Sequence, residues 1–189
     1  LTRSSAASDV YKRQSFDRDG YISISPLFSV GKVEEIKNEL TRYIKEVAPN
    51  VPDHHIFYEN KDDKTTIKQL QQMFTYDDYF KELIENSSIR EVAEIVLREK
   101  AEPKNLQFFN KPPGIGKPTP PHQDGYYFML KKHNAVTCWL ALEKVDEENG
   151  CIHYVKGSHK LEYRPHGRSN VLGFSQGITD FGNEEDKKN

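Results

Sequence analysis

The stretch PPHQDGYYFML, Pro120 to Leu130, places His122 and Asp124 two residues apart, behind two prolines and ahead of an aromatic run. In an extended strand, residues i and i+2 face the same side, so one imidazole and one carboxylate would project together. That is the beginning of a facial triad. With a second histidine from another strand, such a triad holds Fe(II) through three protein ligands and leaves three positions open, enough for a bidentate 2-oxo acid and for O2. A bare His-x-Asp arises often by chance, and most such triplets are solvated turns or capping pairs. The triplet alone therefore leaves the ligand reading and the turn reading both standing. No Cys-x-x-Cys pair accompanies it, which argues against zinc held by thiolates.

Elements that hold such a pair are legible along the chain. Residues 1–14, LTRSSAASDVYKRQ, lack the apolar core of a signal peptide. The piece SSAASDVYKRQ resembles a translated adapter remnant, and the segment is expected to be non-native or disordered. FDRDGYISI, Phe16 to Ile24, reads as a turn at Asp19-Gly20 and then a short strand with Tyr21 and Ile22. Val33, Ile36, Leu40, Tyr43, Ile44 and Val47 recur at three- and four-residue steps, predicting a helix over about 32–47 that Pro49 and Pro52 end. DHHIFYENKDDK is polar and reads as a loop. A second helix is expected over about 76–85, capped by Thr75, with Phe80, Leu83 and Ile84 inward. A third starts at Ser88, which has capping-box spacing to Glu91, with Ile89, Val92, Ala93 and Val96 on its apolar face.

Beyond Pro103 the period shifts toward 2. LQFFN, YYFML, AVTCWLAL and CIHYV read as strands, while KPPGIGKPTPP, ENG and KGSHK read as loops and turns. In AVTCWLAL, Val136, Cys138, Leu140 and Leu142 form an aliphatic face expected against helices. Thr137, Trp139 and Ala141 form a mixed face that suits a wet pocket. Helices first, then short strands with Gly/Pro turns, predict an α+β fold with a β-barrel or jelly-roll core.

Composition bounds the function. With 189 residues the chain fits one domain with a sizeable core, and ten Tyr, ten Phe and one Trp are enough to fill it. A net charge of -2 gives no case for nucleic acid or an anionic membrane as partner. No apolar run approaches the roughly 20 residues of a membrane helix. Two cysteines, Cys138 and Cys151, point to a reducing, cytoplasmic setting. The polar ending GNEEDKKN is expected to mark a fragment.

FFNKPPG, PPHQDGYYF, CWLALEKVDEENGCIHYVKGSHK and PHGRSNVLGFSQGITDFG, in that order, resemble the phytanoyl-CoA dioxygenase family, whose members are Fe(II)- and 2-oxoglutarate-dependent oxygenases. The likeness runs from about Phe16 to the C-terminus. It implies a double-stranded β-helix (jelly roll) flanked by N-terminal helices, with residues 15–189 an incomplete domain whose last strands are missing. It implies Fe(II) held by His122 and Asp124, and 2-oxoglutarate contacted by Gln123 and Trp139, with Lys68 and Gln107 aligned to further cosubstrate positions. A solvated surface lysine is the alternative for Lys68.

In the family, the second iron-binding histidine and the arginine that pairs with the far carboxylate of 2-oxoglutarate follow the GFSQG segment. His153, in a strand, His159, in the GSHK turn, and His166, in a loop after a proline, are not expected to replace that histidine. His54, His55 and His133 are expected to be exposed. The chain by itself is thus expected to bind Fe(II) weakly and to lack turnover. The reaction implied is hydroxylation of an unactivated C–H bond of a small molecule by O2, with succinate and CO2 as co-products. Two other readings stand: a non-catalytic jelly-roll module that binds a small ligand, with Tyr126-Tyr127-Phe128 as a stacking platform or as core, and a cupin-type metal-dependent isomerase or hydrolase.

Overall fold

The computed structural model describes residues 6–130, 134–183 and 186; His133 lies outside them. Helix α1, Ala6–Asp19, takes in residues 6–14 and continues through Phe16. Arg13 Nε donates to the Ile95 carbonyl at 3.0 Å and Ser15 is buried, while Val10 and Tyr11 are exposed. The helix therefore docks through a few residues rather than through an apolar stripe.

Ser29 opens α2, Val30–Arg42, by accepting the Lys32 N–H at 3.2 Å. A π-helical turn, Tyr43–Val47, carries the apolar stripe to the end that its periodicity predicts. Ile36, Leu40 and Tyr43 on this stripe are buried. They meet Phe80 and Leu83 of α4 (Asp78–Glu85), Ile67 and Leu70, and Met73 of the short α3 (Met73–Tyr76) in one core. Thr75 is absorbed into α3, so Asp77 caps α4 instead, its Oδ1 accepting from the Tyr79 and Phe80 N–H groups. Helix α5, Ser88–Leu97, is capped one residue earlier than its box spacing predicts. The Ser87 hydroxyl accepts from the Ile89 N–H and donates to the Leu83 carbonyl.

Tyr43 sits edge-on to Phe80, with centroids 5.4 Å apart, and is 1% exposed. Its hydroxyl has no hydrogen-bond partner among the described residues. A buried hydroxyl without a partner is a cost, so Tyr43→Phe is expected to raise stability by about 1 kcal/mol. Burial, with Asp77 and Tyr76 nearby, pushes this phenol up to about 12. From about pH 10 to 12 the unfolded chain gives up that proton while the folded chain keeps it, so stability falls through this window. Urea midpoints at pH 7 and pH 11 check both points: the phenylalanine variant should be more stable at pH 7 and should lack this part of the alkaline loss.

The described residues form two small antiparallel sheets. The first has order β1-β2-β3, with β1 Ile56–Tyr58, β2 Ile67–Leu70 and β3 Phe108–Phe109. Ile56 lies opposite Leu70, and Gln69 opposite Phe109. The second pairs β4, His166–Arg168, with β5, Gln176–Ile178, placing His166 opposite Ile178. The segment DHHIFYENKDDK, expected to be a loop, thus contains strand β1.

The described residues give a mixed helix-and-sheet fold, in keeping with the α+β expectation, and their ladders are the two small sheets above rather than a closed jelly roll. Of LQFFN, only Phe108 and Phe109 pair. Residues 126–130 are not a strand, because α6, Asp124–Tyr127, occupies their start. Residues 21–24, 134–142 and 151–155 carry no ladder, since a strand requires a partner and none is aligned with them. The alternation read in 135–142 still holds in part. Leu140 and Leu142 pack on the core, while Thr137, Trp139 and Ala141 are exposed; Cys138, expected inward, is also exposed.

Candidate metal centre

The proline loop delivers His122 to the site. The Ile178 N–H of β5 donates to the Pro121 carbonyl at 2.8 Å, which fixes the loop against the second sheet. One turn later the Tyr127 hydroxyl donates to the Gln176 carbonyl and accepts from the Gln176 N–H at 3.3 Å. These two attachments on β5 bracket His122 and Asp124. They also account for a helical turn where β-prone aromatics predict a strand: tertiary bonding overrides local propensity.

His122 Nδ1 donates to the Pro120 carbonyl at 2.8 Å. A carbonyl only accepts, so Nδ1 carries a proton, and Nε2 is the nitrogen turned toward Asp124, where it holds either a second proton or a metal. Nε2 lies 3.2 Å from Asp124 Oδ1. The ring is held by Tyr127, edge-on at 5.7 Å, and by Phe174 at 5.2 Å. Phe174 in turn meets Phe109 of β3 at 5.9 Å, so the first sheet also supports the imidazole. The other carboxylate oxygen, Asp124 Oδ2, accepts from the Thr137 hydroxyl.

Burial acts to lower the His122 pKa, but the Asp124 and Pro120 contacts outweigh it and the group is raised above the ordinary imidazole value. Asp124 is held below the usual carboxylate range, first by His122 and then by Thr137 against the effect of burial. An imidazole and a carboxylate that converge in this way share either a proton or a cation.

The other sequence-selected residues lie differently. Gln123 stands between His122 and Asp124, but its side chain turns to the loop before β4: Oε1 accepts the Arg164 N–H at 2.8 Å and Nε2 donates to the Glu162 carbonyl at 3.4 Å. Trp139 is exposed. Gln107 is exposed beside Asn105, whose Nδ2 donates to its Oε1 at 3.4 Å. Lys68 is not a surface lysine. It is 1% exposed in the central strand β2, and its ammonium lies 3.0 Å from Glu59 Oε1. The two charges are in contact, but their alignment is not that of a hydrogen bond. Among the described residues, no hydrogen bond, ion pair or ring contact joins Lys68, Gln107 or Trp139 to His122 or Asp124.

His159 bonds the Asp17 carbonyl at 3.1 Å, as a turn histidine does. His166, read as a loop residue, is half-buried in β4. It stacks on Tyr126 at 3.9 Å, and its Nε2 accepts the Gln123 N–H at 3.3 Å. His153 lies 3.4 Å from the Cys151 thiol. His55, expected to be exposed, is half-buried against the Tyr76 hydroxyl at 2.8 Å. Among the described residues, no third His, Cys, Asp or Glu joins His122 and Asp124. An open cleft of about 660 Å³ lies elsewhere, lined by Arg42, Tyr76, Asp77 and Tyr79 among others.

The Phe174 support depends on Gly173. Its φ is +81°, and a Cβ there would lie 2.7 Å from the Oε1 of buried Gln69. Gly173→Ala is expected to cost about 2 kcal/mol or more, from the left-handed backbone and the overpacking together. A urea midpoint shift reads this directly.

Thr137, Phe174 and Glu59 were not singled out as site residues from sequence. Phe174 had a signal, since it lies in the GFSQG motif; Thr137 had only its place on the mixed face of AVTCWLAL.

Among the described residues, no helix is long and apolar enough to cross a membrane. The chain is 28% identical over 174 residues to the peroxisomal phytanoyl-CoA dioxygenase of Bos taurus, covering 87% of this chain and 52% of that protein. It is 27% identical over 191 aligned positions to the Homo sapiens protein of the same name, covering 93% and 55%. It is 24% identical over 186 positions to the phytanoyl-CoA dioxygenase domain-containing protein 1 homolog of Caenorhabditis briggsae, covering 78% and 64%. The chain spans about half the length of the first two of these relatives. No solved structure matches it significantly. The family model for phytanoyl-CoA dioxygenase (PhyH) matches residues 16–185, with His122, Asp124, Thr137 and Phe174 all inside the match, and the chain belongs to that family.

Proposed function

We propose that His122 and Asp124 are protein ligands to Fe(II) in a 2-oxoglutarate-dependent dioxygenase that hydroxylates an unactivated C–H bond of a small molecule. The observation that carries this reading is the convergence of His122 Nε2 and Asp124 Oδ1 at 3.2 Å. Two ligand atoms about 2.1 Å from one ion and at right angles to each other would stand about 3.0 Å apart. The bond from Nδ1 to the Pro120 carbonyl also leaves Nε2 as the nitrogen available to a metal once any proton on it is displaced. When bound, Fe(II) would supply the redox chemistry that couples decarboxylation of 2-oxoglutarate, giving succinate and CO2, to the hydroxylation.

The remaining roles belong to this chain's own side chains. Phe174 and Tyr127 pack against the imidazole and hold its plane. Gln123, Trp139, Lys68 and Gln107 are proposed cosubstrate contacts on the strength of the family pattern. For Lys68, that contact requires its ammonium to exchange Glu59 for the incoming carboxylate. Residues 135–142 and 151–155 are proposed strands of a double-stranded β-helix. The outward Thr137, Trp139 and Ala141 and the packed Leu140 and Leu142 support that assignment for the first of them. A reducing, cytoplasmic setting is proposed from the two free thiols.

Two converging ligands make a weak iron site, so the assay supplies the third ligand as free imidazole. Succinate release from 2-oxoglutarate is measured with Fe(II), with and without O2 and imidazole. The expected result is little succinate without imidazole and O2-dependent succinate with it, lost in His122→Ala and Asp124→Ala. A non-catalytic module would release none under any condition. A metal-dependent hydrolase or isomerase would consume neither O2 nor 2-oxoglutarate. Robust succinate without imidazole would show that a third protein ligand is already in place.

A further inference from the structure

The two oxygens of Asp124 are not equivalent. Oδ1 faces His122 Nε2, while Oδ2 accepts a hydrogen bond from the Thr137 hydroxyl. The donor comes from thirteen residues along the chain, on a segment separate from α6, so this contact is not a local helix cap. We infer that Thr137 is a positioning residue of the metal centre: its hydroxyl holds Oδ2 and keeps Asp124 a one-oxygen ligand through Oδ1. The inference rests on the metal reading given above and adds to it the control of how many coordination positions remain open.

A carboxylate that is free to rotate can chelate a hard cation through both oxygens, and then fills a position an exchangeable ligand would use. A hydroxyl bound to one oxygen of a carboxylate is a charge-assisted donor, stronger than a neutral pair. Threonine is β-branched, so its χ1 is restricted and the hydroxyl is aimed before any metal arrives. The Pro120 carbonyl does the same for the imidazole by fixing Nδ1. Each ligand thus has one atom tied by a non-ligand partner and the other atom presented. Thr137 is exposed, so loss of its hydroxyl should leave the fold almost unchanged. That separates a positioning role from a structural one.

The test uses Mn(II) as the probe ion on the 189-residue chain, comparing the unmodified protein with Thr137→Val and Thr137→Ser. Water-proton relaxivity per bound Mn(II) counts the waters left on the ion, and calorimetry gives the affinity of the Mn(II)-loaded chain for 2-oxoglutarate. In T137V, about one bound water is expected to be lost as Asp124 turns to chelate. The 2-oxo acid is expected to bind roughly 10-fold more weakly, the usual effect of losing a partner that orients a metal ligand. T137S should restore both values, and all three proteins should unfold at the same temperature. Unmodified relaxivity and unmodified 2-oxoglutarate affinity in T137V would overturn the inference while leaving the metal centre intact. Absence of His122-dependent Mn(II) binding in the unmodified chain would overturn both.

Discussion

Glu59→Gln is expected to lower the stability of the fold by about 3–5 kcal/mol, the usual consequence of removing one partner from a buried ion pair. The Lys68 side chain is 1% exposed and that of Glu59 is 5% exposed, with the charges 3.0 Å apart. Without the carboxylate, an ammonium remains in the central strand of the first sheet with no other charge or hydrogen bond to it among the described residues. Domains of this size are stable by only about 5–15 kcal/mol, so the loss is a large fraction of the total. Replacing both partners by apolar residues, as in Glu59→Leu with Lys68→Met, removes the buried charge altogether and should recover most of the loss. Urea unfolding of the single and double variants checks this. A Glu59→Gln protein within about 1 kcal/mol of the parent would mean that the ammonium reaches water or another acceptor. The pair also bears on function, because the lysine proposed to meet the cosubstrate is already engaged by a carboxylate of its own chain.

His122→Ala and Asp124→Ala should each reduce Mn(II) affinity by roughly 100-fold or to below detection. Substitution of residues that only support ligands already costs about 10–100-fold, and each change here leaves a single protein ligand. The fold should tolerate both, since the Asp124 side chain is 46% exposed and that of His122 is 24% exposed. Loss of the free-ion electron paramagnetic resonance signal on titration gives the affinities. Equal binding by both variants and the parent would place the ion elsewhere.

Local signals carried much of the helical half. The stripe of α2 ends where its three- and four-residue steps end, because burial of one face is a local property of sequence. Caps shifted by one or two residues, since Ser87 and Ser88, or Thr75 and Asp77, are chemically able to do the same work. Strands were less legible. Three apolar letters, Ile56 to Tyr58, among polar neighbours looked like a loop, yet they pair with β2. In 135–142 the alternation held at Leu140 and Leu142 but not at Cys138, and because pairing is non-local no ladder forms there. At the site, the triplet marked His122 and Asp124 as candidates, and they do converge, but through the start of α6 rather than along the extended strand that the i, i+2 spacing suggested. What ties them down was not readable from it. The Thr137 donor, the Phe174 wedge and the β5 attachments come from 13 to more than 50 residues away, and no spacing rule reaches that far.

The most direct test is paramagnetic mapping of Mn(II) on the isotopically labelled, unmodified chain. At substoichiometric Mn(II), the amide resonances of Gln123, Gly125, Tyr126 and Thr137 should broaden before all others. First broadening at acidic surface turns such as Asp62-Asp63 or Asp146 to Glu148, with residues 122–126 unaffected, would contradict a metal centre at His122 and Asp124.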